Sequence, residues 1–289
     1  MKLREYQAEG IEEIRQKFNG GARRVLYQLP TGGGKTVVMS FRVKGAIARD
    51  QLTYFTVHRK HLITQSSRAL SRLEVPHGII CAGYKMAKNA PAYVASIDTL
   101  ARHLDEVPEP RFLMVDEAHH ASAAGWERII KRWPRARVVG VSATPERLDG
   151  QGLDHIFEEL VCGPSMRWLM DNVNPDTGLT YLSDYEVYGP PPPEGIDRLP
   201  FKGKDLDPTA MSALLDDPNI TGDAVKHYLQ HLAGKRAIVF CCDTKHAFNV
   251  TEAFKAAGIP AAYIDGYMPR AQIDKACKQF ELGNIHVLV

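Results

Sequence analysis

The segment Leu29-Pro30-Thr31-Gly32-Gly33-Gly34-Lys35-Thr36 joins a short apolar run, Val25 to Leu29, to a stretch with helical patterning from Lys35 to Arg49. Glycines let successive backbone N–H groups turn inward around phosphate oxygens, and a helix N-terminus adds partial positive charge. Lys35 then reaches the β- and γ-phosphates of a nucleoside triphosphate, and the Thr36 hydroxyl faces a magnesium ion. Thr31, Gly32, Gly33 and Gly34 supply the bend. The pattern G-x-x-x-x-G-K-[ST] is met at Gly34-Lys35-Thr36, whereas its first position holds Leu29.

Such a cradle needs a carboxylate for the metal, and Asp116 follows the apolar run Phe112-Leu113-Met114-Val115. At that strand end it shares the crevice with Thr36 and holds magnesium or its waters, while Glu117 orients and deprotonates an attacking water. His119 and His120 complete Asp116-Glu117-Ala118-His119-His120, with no cysteine or third histidine at zinc-ligand spacing. At the end of another apolar run stands Val141-Ser142-Ala143-Thr144-Pro145. Its hydroxyls, Ser142 and Thr144, can hydrogen-bond to the carboxylate and histidine of a neighbouring strand end and so couple them to the γ-phosphate.

The surrounding sequence predicts the elements that carry these groups. Tyr6, Ile11, Ile14 and Phe18 recur at helical spacing, so residues 5–18 form an amphipathic helix stopped by Asn19-Gly20-Gly21. Strands are expected at 25–29, 52–57, 77–81, 92–96, 111–115 and 136–141, with helices at 35–49, 59–73, 97–104 and 123–132 between them. Strands alternating with helices imply parallel pairing through crossovers, an α/β unit with helices on both faces. From 151 to about 207 the pattern weakens around Asn174-Pro175-Asp176 and the prolines 190–193, which reads as a semi-rigid linker, with a candidate edge strand at 183–188. Alternation resumes with helices at 219–232, 244–257 and 269–282 and strands at 236–241, 260–264 and 285–289. The expected domains are 1–150, a linker 151–207, and 208–289.

LPTGGGKT, DEAH and SATP, in this order and followed by a second α/β unit, resemble the superfamily-two helicases and translocases of the DEAH-box kind. They are most similar to the branch with restriction-enzyme motor subunits, bacterial repair helicases and small phage helicases. The resemblance implies a P-loop NTPase built from two RecA-like parallel-sheet domains with flanking helices, using ATP and Mg2+ to move on nucleic acid, DNA favoured over RNA. Asp116 and Thr36 become metal ligands, and Lys35, Asp116, Glu117 and His119 the catalytic group. Leu3-Arg4-Glu5-Tyr6-Gln7 resembles the family's adenine-recognition segment, with Arg4 and Gln7 on the base. Thr56-Val57-His58-Arg59-Lys60 and Ala95-Ser96-Ile97-Asp98-Thr99-Leu100 resemble its strand-gripping motifs, with His58, Arg59, Ser96 and Thr99 on the phosphate backbone. In the second domain Cys241-Cys242-Asp243-Thr244-Lys245 resembles the start of the other lobe, with Thr244 as a further nucleic-acid contact. Cys241 and Cys242 are expected as packing residues.

The family continues beyond a Val-Leu-Val strand to a Thr-Asp loop and a helix carrying arginines that reach the phosphate site. This sequence stops on His286-Val287-Leu288-Val289. The second domain is therefore expected to be incomplete, ATP to be bound but turned over weakly, and the last strand to be an unpaired apolar edge that invites association. A non-cycling nucleic-acid-binding or ATP-sensing module is the alternative.

The composition of the 289 residues, 44% hydrophobic and 24% charged, excludes disordered and collagen-like classes. Five cysteines without C-x-x-C spacing suit neither a disulfide framework nor a structural zinc. With no signal-peptide or membrane-span pattern, a bacterial or phage-infected cytoplasm is expected. The net charge of +2 conceals 24 Lys+Arg against 18 Asp+Glu in residues 1–160 and 12 against 16 thereafter. That permits a polyanionic partner for the first half without demonstrating one.

Overall fold

The computed structural model describes residues 2–87, 89–120, 124–145, 152–189, 193–202, 205–215 and 218–289. Residues 1–186 and 187–289 form two compact units. The predicted domain limit at 150 and Pro190–Pro192 of the predicted linker lie outside the described residues.

The first unit is a seven-stranded parallel sheet in the order β3-β4-β2-β5-β6-β1-β7. Its strands are β1 (Arg24–Gln28), β2 (Thr53–Val57), β3 (Gly78–Ile80), β4 (Ala92–Ser96), β5 (Phe112–Val115), β6 (Arg137–Ser142) and β7 (Glu159–Cys162). Helices α1 (Glu5–Asn19), α2 (Lys35–Ile47), α3 (Lys60–Ser71), α4 (Ile97–Leu100), α5 (Ala124–Arg132) and α6 (Met166–Asp171) surround it. Because both faces are covered, the inner strands are buried along most of their length, and the period of two decides only which helix each residue meets. Val25, Tyr27, Phe55, Met114, Val139 and Val141 join Ile14, Phe18, Met39 and Ile63 on one face. Leu26, Tyr54, Leu113 and Val138 join Ile97, Trp126, Ile129 and Trp133 on the other. Each fully buried large apolar side chain contributes about 1.5–3 kcal/mol.

Six of the seven strands stand within a residue or two of the predicted limits. The seventh, β7, was not expected, and it lies in the stretch read as linker. It is a four-residue edge strand paired with β1 alone, and Leu160 is half exposed, so its sequence carries neither a continuous apolar run nor clean alternation. The edge strand expected at 183–188 does not form: the segment is irregular, with Tyr185, Val187 and Tyr188 exposed. Aromatic and β-branched residues raise strand propensity, yet without a ladder partner propensity does not make a strand.

The second unit holds a three-stranded parallel sheet in the order β10-β12-β11, from β10 (Ala237–Ile238), β11 (Ala261–Ala262) and β12 (Val287–Leu288). A two-stranded antiparallel ladder of β8 (Phe201–Lys202) and β9 (Asp205–Leu206) precedes helices α7 (Pro208–Leu215) and α8 (Pro218–His231). Helices α9 (Thr244–Ala256) and α10 (Arg270–Glu281) make the crossovers. The expectation of an exposed final strand is overturned. β12 is the central strand, Ala237 and Ala261 both pair with Val287, and Val287, Leu288 and Val289 are buried. In a β-α-β-α-β chain the last strand can enter between the first two, and its apolar character is that of a middle strand.

No helix among the described residues is long and apolar enough to cross a membrane.

Candidate nucleotide site

The strand order puts β5, β6 and β1 side by side, so the chain leaves the sheet at three adjacent points on one edge: Asp116 after β5, Ser142 ending β6, and the glycine bend after β1. The last paired residue of β1, Gln28, stands opposite Ser142, and the Leu29 N–H donates to the Ser142 carbonyl at 2.9 Å. Asp116 is held from the other side, its N–H donating to the Thr56 carbonyl at 3.0 Å.

Left-handed backbone at Gly32 and Gly34, with φ 81° and 89°, turns the bend into α2, and Gly34 is the N-cap of that helix. A side chain at Gly34 would be strained by that φ, and its Cβ would overlap Gln7 Nε2. Gly33 is held from α1: Tyr6 Oη and Gln7 Nε2 each donate to its carbonyl at 2.9 Å. The other end of the Gln7 amide accepts from the Arg4 N–H at 3.0 Å, while the Gln7 backbone N–H donates to the Arg4 carbonyl at 3.0 Å, and together these start α1. Gln7 is buried, and its two side-chain bonds fix the bend while using one of its two amide N–H groups and one lone pair of its carbonyl oxygen. Arg4 Nη1 donates to Tyr6 Oη at 3.1 Å, and the Arg4 guanidinium lies 5.1 Å from the centre of the Tyr181 ring.

Glu117 connects the bend to the next strand ends. Its Oε1 stands 3.8 Å from Lys35 Nζ and its Oε2 3.3 Å from His119 Nδ1. His119 Nδ1 also lies 3.0 Å from Ser142 Oγ. The Ser142 hydroxyl donates to the Thr144 carbonyl at 2.6 Å and accepts from the Thr144 N–H at 3.2 Å. Since its one proton is spent on Thr144, Ser142 receives a proton from His119, which assigns the hydrogen to Nδ1. Glu117 has φ 50°, a left-handed conformation that costs a non-glycine residue on the order of 1–3 kcal/mol. Close approach of this turn to β6 is possible because Gly140 has no Cβ: one there would meet Ala118 and the Phe157 ring.

Asp116 is buried, and its pKa is pushed up to about 6, first by burial and then by the Glu117 carboxylate, with the Glu117 N–H and Lys35 opposing. A desolvated carboxylate at the end of β5, with the Thr36 hydroxyl at the start of α2 as a second oxygen, fits Mg2+, which takes one or two protein oxygens and keeps its remaining ligands from water and phosphate.

The remaining expected residues divide. Val57 of β2 pairs with Ser96 of β4, which brings His58 and Arg59 next to Ser96 and Thr99 on the same sheet edge. His58 and Arg59 are exposed; Ser96 is buried as the N-cap of α4, and Thr99 Oγ1 accepts from the Ala82 N–H at 3.3 Å. Thr31 and Thr144 are exposed beside the bend and the β6 end. Thr244 is the exposed first residue of α9 in the second unit, after the N-cap Asp243. The His120 side chain lies outside the described residues. Burial pushes the Cys241 thiol up to about 11, in keeping with packing rather than reactivity.

The motifs gave no sign of the aromatic cluster around Tyr6. Trp168 and Tyr181 stack at 5.7 Å, Tyr6 meets both edge-on, and a Cβ on Gly32 would collide with Leu182. Tyr6 was visible beside Gln7; residues 166–182 carry no motif, and only the return of the chain after β7 brings them to the bend.

The sequence matches the family described as type III restriction enzyme, res subunit, over residues 1–147. It is 27% identical over 263 residues to a 51.5 kDa protein of a Lactococcus phage, covering 91% of this chain and 54% of that one. It is 24% identical to the putative ATP-dependent helicase IRC3 of Saccharomyces cerevisiae, covering 99% and 44%. The chain thus spans about half the length of these relatives. Over 166 residues it is 29% identical to the DNA 3'-5' translocase XPB2 of Sulfurisphaera tokodaii, covering 57% and 35%. The Pyrococcus furiosus Hef helicase domain shares its fold, with a TM-score of 0.57 at 16% identity over 99% of this chain and 85% of that one. With a parallel sheet that brings the three motif-bearing strand ends together and a family match over its first half, the chain belongs to the type III restriction enzyme res-subunit family, within the superfamily-two helicases.

Proposed function

We infer that the first unit binds ATP with Mg2+ and hydrolyses it to drive movement along nucleic acid, DNA favoured over RNA. The observation that carries this reading is the Glu117 carboxylate between Lys35 and His119. Triphosphate oxygens compete with Glu117 for the Lys35 ammonium, and the carboxylate that is released becomes free to orient water and take its proton. Thr36 and Asp116 would hold a magnesium ion, which when bound would neutralise charge on the phosphoryl oxygens. Through His119 and Ser142 the position of Glu117 is tied to the end of β6, so a change at the γ-phosphate is passed to a neighbouring strand by an existing chain of hydrogen bonds. Arg4, the Tyr181 ring and Gln7 form the base side, Gln7 holding the bend with one amide N–H while its second N–H and remaining lone pair serve adenine.

Nucleic-acid backbone runs past the ends of β2 and β4, where Arg59 and His58 supply charge and donors and Ser96 and Thr99 supply hydroxyls and the short helix start. Thr244 is the corresponding contact proposed in the second unit. A preference for DNA is supported by the names of the relatives, one a DNA translocase.

Calorimetric titration of Mg-ATP should give saturable uptake that Lys35→Ala abolishes. ATPase assays with single-stranded DNA, duplex DNA and RNA as separate activators then identify the track. The reading fails if folded protein takes up no magnesium-dependent adenine nucleotide, and the preference for DNA fails if RNA alone stimulates.

A further inference from the structure

The far end of α2 carries a concentration of charge that nucleotide binding does not use. Arg42 lies two turns after Lys35, roughly 10 Å along the helix axis. It lines a cavity of about 510 Å³ bounded by the C-terminal halves of α1 and α2 and by Phe112 and Arg137, the first residues of β5 and β6. This is the N-terminal edge of the strands, opposite the edge that bears Asp116 and Ser142.

Four arginines line the cavity, Arg15, Arg42, Arg49 and Arg137, against one carboxylate, Glu12. Glu12 is occupied by Arg15 through two contacts of 2.6 and 2.7 Å, and Arg49 Nη1 donates to the Gly45 carbonyl at 3.2 Å. Arg42 and Arg137 have no carboxylate partner among the described residues. Their guanidinium groups share two rings instead: Arg42 lies 5.8 Å from the centre of Phe18 and 5.7 Å from that of Phe112, Arg137 5.4 and 6.0 Å. Arg42 Nε is buried with no hydrogen-bond acceptor.

Buried donors are normally satisfied and buried charges normally paired, and ring faces meet only part of that requirement. Burial, with Arg49 and Arg137 nearby, brings the Arg42 pKa down to about 10, so the group is repelled as well as desolvated. An anion would reverse both effects, and a guanidinium fork matches the paired oxygens of a phosphoryl group. The cavity is of small-molecule size, and its Phe18 and Phe112 walls suit an organic body attached to that group.

We propose that this cavity binds a small phosphorylated organic anion, its phosphoryl group held by Arg42 and Arg137, at a site separate from the nucleotide cradle. Inorganic pyrophosphate is the probe, titrated into the full chain carrying Lys35→Ala so that the glycine bend does not contribute. One saturable site and a raised melting temperature are expected. Adding Arg137→Gln or Arg42→Met should weaken binding at least tenfold while raising the melting temperature of the ligand-free protein, because repulsion is removed. If Arg42→Met does not fold, Arg137→Gln alone decides. The proposal is overturned if the Lys35→Ala chain takes up no pyrophosphate, if neither arginine change weakens uptake, or if sodium chloride at matched ionic strength gives the same rise. Displacement of pyrophosphate by a single-stranded oligonucleotide would assign the phosphoryl group to a polynucleotide and overturn the small-molecule ligand. Persistence of binding supports it.

Discussion

The two ends of α2 treat charge in opposite ways. At its N-terminus Lys35 faces Glu117, which faces His119, which meets Ser142, so the Lys35 ammonium has an anion within reach and the longest link, at 3.8 Å, is the one a phosphate would replace. Near its C-terminus Arg42 and Arg137 lie against the same two rings and have no carboxylate partner among the described residues. A network of opposite charges can exchange partners during a reaction at little net change in charge, whereas a set of like charges is a standing demand for an external anion. The acidic end contains the same contrast in miniature, since Asp116 and Glu117 are adjacent and, among the described residues, it is Glu117 that has an ammonium, that of Lys35, within 3.8 Å.

The largest test of this contrast is Glu117→Gln. Turnover of ATP should fall by about 10²–10⁴-fold, the usual worth of a general base, with Mg-ATP affinity retained or raised because Lys35 loses its competitor. Unchanged turnover would remove Glu117 from catalysis.

Asp116→Asn should stabilise the metal-free protein at neutral pH. Its carboxyl titrates near 6 when folded against an ordinary value of 3.8, so the folded protein binds the extra proton between these pH values and stability declines as pH rises through them. The penalty is complete above about pH 6, where the variant should gain roughly 1–3 kcal/mol, and it vanishes below the unfolded pKa. Urea unfolding of both proteins from pH 4 to pH 8, without divalent ions, measures the gap; one that does not shrink toward pH 4 contradicts the assignment.

Tyr6→Phe removes one of two donors to the Gly33 carbonyl. The expected loss is about 1 kcal/mol in unfolding free energy, with a weaker hold on Mg-ATP, since Gln7 keeps the acceptor satisfied. At the basic end, ligand-free Arg137→Gln should gain only a few tenths of a kcal/mol at low salt, and the gain should fade near 1 M sodium chloride as screening removes repulsion. A loss instead would show that the ring contacts outweigh the repulsion.

Legibility followed the number of strand neighbours and the covering of both faces. β2, β4, β5 and β6 are inner strands buried by helices on both faces, so they read as mainly apolar, β-branched and aromatic runs whose expected limits agree within a residue. β7, with one neighbour, left no such trace. The second unit shows the opposite error: mostly apolar runs of five or six residues are expected as strands, yet only two residues of each form a ladder, and Phe240 is 92% exposed. The burial of Val287 to Val289 between two strands was equally hidden, because a run of apolar residues does not say whether its neighbours lie on one side or both.

By itself the sequence determined the cradle, the acidic strand end and the hydroxyl turn, because glycine, lysine and carboxylate at those spacings act through local backbone geometry. It also determined the α/β alternation, which follows from hydrophobic period. Only the tertiary structure decided that Gln7 turns inward onto Gly33, that Glu117 joins Lys35 to His119, and that Arg42 meets Arg137 over a shared pair of rings. Apart from Glu117 and His119, which share one turn, those contacts link residues far apart in the chain, and their partners are chosen by strand order, which no local pattern encodes.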